Sequence, residues 1–188
     1  MLFYYLLAGL FIIFLLATTI YAAIIGAPFA GTPKQGIRKS FKLIDLKPNE
    51  KVYDLGAGDG RVLIIAAKEF GAQSYGFELS FLLYLFAKIN IFLSGVSKKA
   101  KVKWTNFFKE DLSGADVIFC WLTPKTFPKL EDKFKNELKT GTRVIVFSSP
   151  LNFWPVEKEF EVNFEGIKFF GISIVPALKT TTYIYRKI

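Results

Sequence analysis

Histidine is absent from all 188 residues. That absence excludes Ser-His-Asp and Cys-His nucleophilic catalysis, histidine-ligated metal centres and the commonest proton shuttle. A single cysteine, Cys120, excludes a disulfide framework and a multi-cysteine zinc site, so no metal is expected. Internal repeats and low-complexity linkers are missing as well. Charge is missing from one place only, the stretch Leu2 to Ile25. Any chemistry must therefore run on carboxylates, lysines, aromatics, backbone groups or a borrowed reactive cofactor.

What is present suits one ordinary domain, since 52% of the chain is hydrophobic and a real core is available. The formal charge of +9 biases the surface toward anionic partners, acidic lipid or nucleic acid. The uncharged N-terminal run would form a helix about 36 Å long, against about 30 Å of bilayer hydrocarbon. Tyr4, Tyr5 and Tyr21 sit near its ends, where amphipathic aromatics favour the membrane interface. A cleaved signal peptide fits poorly, because the positive n-region is missing and the apolar run is too long. Residues 1–26 therefore read as a single transmembrane anchor contacting the lipid bilayer. Lys34, Arg38, Lys39 and Lys42 follow it, so the positive-inside rule sets the remainder on the cytoplasmic side. No Arg-rich amphipathic presequence is present, which favours a prokaryotic plasma membrane over the mitochondrial inner membrane.

Residues 27–50 read as a Gly/Pro linker loop followed by an N-terminal helix over Ile37–Leu46. Strands and helices then alternate. Strands are expected at Lys51–Leu55, Gln73–Phe77, Lys101–Thr105, Ala115–Trp121 and Thr142–Phe147. Helices are expected at Arg61–Phe70, Phe81–Leu93 and Lys125–Leu138, the second of them unusually apolar. The tail from Glu159 to Lys187 holds two or three further strands. This alternation predicts an α/β fold, a Rossmann-like, doubly wound, mostly parallel sheet with an antiparallel C-terminal hairpin.

The stretch "VYDLGAGDGR", residues 52 to 61, places Gly56, Gly58 and Gly60 in the first strand-to-helix turn. In such sheets ligands bind at the carboxyl ends of the strands, and glycine lets the backbone approach them closely. The spacing is G-x-G-x-G, and Arg61 stands where a dinucleotide motif needs its third glycine, which argues against NAD and FAD. The next strand ends in Glu78, placed to accept hydrogen bonds from both hydroxyls of a ribose. With Asp54 ahead of the turn, the constellation points to a nucleoside cofactor.

These residues resemble the class I, seven-strand S-adenosylmethionine-dependent methyltransferases. The resemblance implies that Gly56, Ala57, Gly58, Asp59 and Gly60 contact the amino-acid end of S-adenosylmethionine, with Asp54 supporting it. Glu78 and Leu79 would serve the ribose, and Asn106 and Phe107 the adenine. Residues 51–188 are then the methyltransferase domain. A closer similarity covers residues 26 to 156. "GAPFAGTPKQ", "DLGAGDGRVLIIAA", "GFELS", "NFFKEDLSGADVIF" and "LNFWP" resemble the small membrane-anchored protein-lysine methyltransferases, which modify adenine nucleotide translocase and the ATP synthase c-subunit and have prokaryotic relatives. Two motifs depart from that pattern. Asn106, Phe107, Phe108 and Lys109 stand where an Asp-Leu-Trp-Lys-like run is usual, and the Pro-Phe loop reads Pro28, Phe29, Ala30, Gly31, Thr32.

The chemistry implied is in-line methyl displacement, which positioning alone largely accelerates and which needs neither histidine nor metal. A lysine acceptor must first lose a proton from an amine of pKa about 10.4. Desolvation in an apolar slot lowers that value, and Phe29, Trp121 and Trp154 are the candidate slot residues. Asp111 is the candidate for orienting or deprotonating the amine. "WLTPKTF" (121 to 127) lacks an Asn/Asp-Pro-Pro-Tyr run, which disfavours methylation of adenine or glutamine amides. A protein lysine, in a membrane protein, is the expected substrate. The competing readings are a lipophilic small molecule (a quinone precursor or lipid), RNA, which is less favoured, and a cofactor-binding module without turnover.

Overall fold

The structure, a computed structural model, describes residues 1–26, 29–164, 167–169, 172–175 and 177–188. Helix α1 (Leu2–Ile25) precedes helix α2 (Lys34–Leu43) and strand β1 (Lys51–Leu55). Helix α3 (Arg61–Phe70), strand β2 (Gln73–Glu78), helix α4 (Phe81–Leu93) and strand β3 (Ala100–Trp104) follow. Then come β4 (Val117–Cys120), α5 (Phe127–Glu137), β5 (Arg143–Phe147), β6 (Lys158–Phe164), β7 (Ile167–Phe169), β8 (Ile172–Val175) and β9 (Leu178–Arg186).

Seven strands form one sheet in the order β3-β2-β1-β4-β5-β9-β6. β1 to β5 run parallel, and β9 inserts antiparallel between β5 and β6. The expected antiparallel C-terminal hairpin is therefore β6–β9. β7 and β8 form a separate two-stranded ribbon between its arms. Strands β4 and β5 are buried on both faces, which is why they read as unbroken apolar runs. Their alternate residues serve two cores. Val117, Phe119, Ile145 and Phe147 pack with Ile37 and Phe41 of α2 and Val62 of α3. Ile118, Cys120, Val144 and Val146 pack with Leu130 and Phe134 of α5. Helices α2, α3 and α4 thus cover one face, and α5 the other.

The expected helix over Ile37–Leu46 is shifted by three residues at each end. Pro33 supplies a preset N-cap, and Asp45, with φ 51°, turns the chain left-handed after Ile44. The Leu46 N–H then donates to the Phe41 carbonyl at 3.0 Å, closing a Schellman-type cap. Leu46 remains buried, which explains its place in the helical pattern. Arg38 and Lys39 of the basic cluster are engaged by the domain: Arg38 forks onto Glu69, and Lys39 lies over the Phe160 ring.

Helix α1 is long and apolar enough to cross a membrane, by length and composition, and none of its residues is buried. It does not stand clear of the domain. Phe14 meets Phe81 and Trp104 edge-on, at 5.5 and 6.1 Å between ring centres. The Phe81 N–H donates to Thr18 Oγ1 at 3.3 Å, and the Thr19 and Ser80 hydroxyls are 2.8 Å apart. At its end, the Gly26 carbonyl accepts from the Thr123 amide, the Thr123 hydroxyl and the Thr126 hydroxyl.

Candidate active site

The strand order reverses between β1 and β4, and the carboxyl ends of these strands open into a cleft. Asp54, Gly56, Ala57, Gly58, Asp59, Glu78, Leu79 and Phe107 line it, with Phe29 and Trp121. Glu78 organises the floor. Its Oε2 accepts the Gly58 N–H and its Oε1 the Ser80 N–H, each at 2.8 Å. One carboxylate therefore ties the glycine turn to the N-cap of α4. Burial pushes Glu78 above the usual carboxylate range, while the amides of Ser80, Gly58 and Leu79 pull the other way.

Asp54 is 3% exposed, and among the described residues none donates a hydrogen bond to its carboxylate. Burial first, then the neighbouring Glu78 and Asp59, hold its pKa well above the ordinary value. A buried carboxylate without a donor, facing a cleft, is costly unless a cation or a donor arrives there. The turn itself is shaped for close approach. Gly58 adopts φ 54°, and a Cβ there would come within 2.7 Å of the Phe29 ring. Gly60 caps α3 against Ala87 of α4, so it packs helices and does not line the cleft.

Arg61 proves to be a strap. Its guanidinium forks onto Asp59, with Nη2 donating at 2.6 Å and Nε at 2.9 Å, and its Nη1 donates to the Thr32 carbonyl at 3.2 Å. The Phe29 ring lies 6.0 Å from the guanidinium carbon. The segment after α1 is thereby folded over the glycine turn. Pro28, part of the loop in the sequence reading, lies outside the described residues.

Three expected site residues sit elsewhere. Asp111 is exposed, and both its oxygens are taken by the Ser113 amide and hydroxyl at 2.8 Å, so it caps a turn. Trp154 stacks on Phe134 of α5, 6.0 Å between centres, on the face away from α2 and α3. Asn106 uses its Oδ1 to accept the Phe108 N–H, capping a short 3-10 turn, while Phe107 alone reaches the cleft. The sequence reading missed the wall opposite, which α1 supplies through Thr19, Ala22, Ala23 and Ile25, with its C-cap Gly26. The polar pair Thr18-Thr19, inside an otherwise apolar run, was the signal for it. Among the described residues, no group of three or more Cys, Asp or Glu is placed to hold a metal. Burial pushes the Cys120 thiol far up, so it is inert.

The donor set fits S-adenosylmethionine. Asp54 would suit a cationic amino-acid end, Glu78 a ribose diol, and the bare turn a ligand that approaches the backbone closely. The ANTKMT methyltransferase domain matches residues 54–158. The chain belongs to this methyltransferase family. A protein-lysine N-methyltransferase of Saccharolobus islandicus is 33% identical over 136 residues, 72% of this chain and 84% of that protein. The mouse adenine nucleotide translocase lysine N-methyltransferase is 30% identical, over 68% of this chain and 55% of its own length. The chain thus spans most of the archaeal relative and about half of the mouse one. An RNA methyltransferase from Salinibacter ruber, solved with S-adenosyl-L-homocysteine, superposes with a TM-score of 0.71 at 28% identity, covering 84% of this chain and 93% of that one. The protein is an S-adenosylmethionine-dependent methyltransferase with a Rossmann-like seven-strand sheet.

Proposed function

We propose that this methyltransferase transfers the methyl group to a lysine side chain of a membrane protein, at the cytoplasmic face of a prokaryotic plasma membrane. The observation that carries the reading is the shared wall. The last turns of the apolar helix α1 line the cofactor cleft beside Phe29 and Trp121, so the reacting centre lies where a bilayer-embedded acceptor would arrive. The names of the archaeal and mouse relatives support lysine as the acceptor.

The cofactor, when bound, supplies an activated methyl group on a sulfonium, displaced in line by the acceptor nitrogen. Asp54, Glu78 and the 56–59 turn hold it, and the chain's remaining task is to present a neutral amine. The carboxylates lining the cleft are Asp54, Glu78 and Asp59; Glu78 is engaged by two amides, Asp59 by Arg61, and Asp54 is taken by the cationic amino-acid end of the cofactor in this reading. Deprotonation is therefore driven by desolvation between Phe29 and Trp121, with the proton passing to water at the cleft mouth. The same aromatic faces favour an alkylammonium product.

Purified full-length protein, radiolabelled S-adenosylmethionine and the organism's own membrane fraction test the assignment. Label is expected in protein and, after hydrolysis, in methyl-lysine. Label confined to the lipid extract or to RNA would overturn it in favour of the other two acceptors.

A further inference from the structure

Helix α4 presents the reverse of an ordinary amphipathic pattern. Ala87 is buried against Gly60 and Ile91 against α3 and β3, and Asn90 Nδ2 donates to the Asp59 carbonyl at 2.9 Å, so that side faces the domain. At 100° per residue the opposite side carries Phe81, Leu82, Leu85, Phe86, Ile89, Phe92 and Leu93. Of these Phe86 and Ile89 are 50% and 53% exposed, and Phe92 and Leu93 74% and 75%. Lys88 is the sole charge on the helix, its Nζ 3.3 Å from the Tyr84 hydroxyl. A soluble helix turns such a face inward. This one is turned out.

The face is continuous with α1. Phe14, Phe81 and Trp104 form one aromatic cluster across the two helices, and Thr18 and Thr19 bond to the first residues of α4. Length then decides what must cover it. Among the described residues the ring contacts and hydrogen bonds between α1 and the domain begin at Phe14, and Leu2–Ile13 show none. Those twelve residues rise about 18 Å, well short of the about 30 Å of hydrocarbon. A spanning α1 that stays docked must carry about 12 Å of the domain surface beside it into the membrane.

We propose that the outer face of α4, with Trp104, is a second membrane contact, seated in the bilayer beside α1. Phe86, Ile89, Phe92 and Leu93 enter the acyl boundary, Trp104 lies with Phe14 and Phe81 below it, and Lys88 reaches up to the headgroups. The mouth of the cofactor cleft, which Leu83 of α4 also lines, then lies at headgroup level. The inference rests on the reading of α1 as an anchor and adds to it the depth and orientation of the catalytic domain.

The test uses the full-length protein in phosphatidylcholine/phosphatidylglycerol vesicles (3:1) containing doxyl-labelled lipid. Bimane is attached to I89C, F92C, L10C or K135C, since the native Cys120 is buried. Quenching at I89C and F92C is expected to reach at least half that at L10C, with K135C on α5 unquenched. If I89C and F92C behave like K135C while L10C is quenched, the second contact is wrong and the anchor stands. If L10C is not quenched, the anchor reading fails and this proposal with it. In the F86E/F92E background, I89C quenching should fall to the K135C level while S-adenosylhomocysteine binding in detergent is unchanged; retained quenching would overturn the proposal. Should that double variant lose cofactor binding, the comparison of I89C with L10C in the native background decides.

Discussion

Glu78 accepts two amides from two different elements, and those bonds persist only while both its oxygens are acceptors. A glutamine keeps one acceptor and turns its NH₂ toward the second donor. E78Q is expected to weaken S-adenosylhomocysteine binding by about 10-fold or more, since hydrogen bonds to a charged group contribute about 1.5–3 kcal/mol; isothermal titration in detergent measures it, and unchanged affinity would remove Glu78 from the ribose site. Asp54 gives a pH signature. Its folded-state pKa lies well above the ordinary carboxyl value, so between the two the unfolded chain has released a proton that the folded one still holds. Stability of the cofactor-free protein therefore falls as pH rises through that window, by about 1.4 kcal/mol per unit for one group, and is fullest below about pH 4. Chemical denaturation should show a steeper fall in wild type than in D54N, where Glu78, also raised by burial, still contributes a slope of the same sign. That these two carboxylates lie in one cleft was legible in the sequence, because the strand–turn–helix motif is local and fixes position along the chain. Asp111, Asn106 and Trp154 were misplaced for a shared reason: a turn, a cap and a stacking partner had already consumed their side chains. Such partners are not visible from spacing.

Among the elements, periodicity located each strand that feeds the cleft and gave the bounds of α3 and α4 as observed. It erred where backbone chemistry overrides hydrophobic pattern. The helix expected from Lys125 begins instead as a 3-10 turn, Pro124–Thr126, and becomes α-helical at Phe127, with Pro128 in its first turn where no N–H is needed. The placement of β9 between β5 and β6 depends on long-range pairing and left no local trace. Arg61 shows how an element boundary can carry function. It opens α3, yet its side chain joins Asp59 to the Thr32 carbonyl and so straps the N-terminal segment over the turn. R61K keeps the charge but loses the planar fork. Chymotryptic cleavage after Phe29 should quicken by about 10-fold, a change of about 1.4 kcal/mol in the local opening equilibrium, while sites within α5 keep their rates. Equal protection in R61K and wild type would show that the strap is held by something else.

At the scale of the whole molecule, the apolar helix and the catalytic domain form one unit, which composition alone could not show. An uncharged run of 24 residues has the length and composition of a membrane span; it says nothing about what the helix touches in its own domain. Here its last turns wall the cleft, and its final carbonyls are held from the other side by the loop after β4. The Thr123 amide and hydroxyl and the Thr126 hydroxyl converge on the Gly26 carbonyl, at 3.2, 2.8 and 3.1 Å. Thr126 also donates toward the Ile25 carbonyl at 3.4 Å and is buried. Replacing both threonines by valine preserves shape and removes the two hydroxyl donors, at about 1 kcal/mol each. Because Ile25 and Gly26 line the cleft, the loss should appear in cofactor binding. T123V/T126V is expected to bind S-adenosylhomocysteine about 5- to 30-fold more weakly in detergent, while remaining in the membrane pellet after a carbonate wash. If the helix were only a tether, affinity would not change. A loss of affinity with the protein still in the pellet would show that the apolar helix is part of the active-site wall whatever else it does.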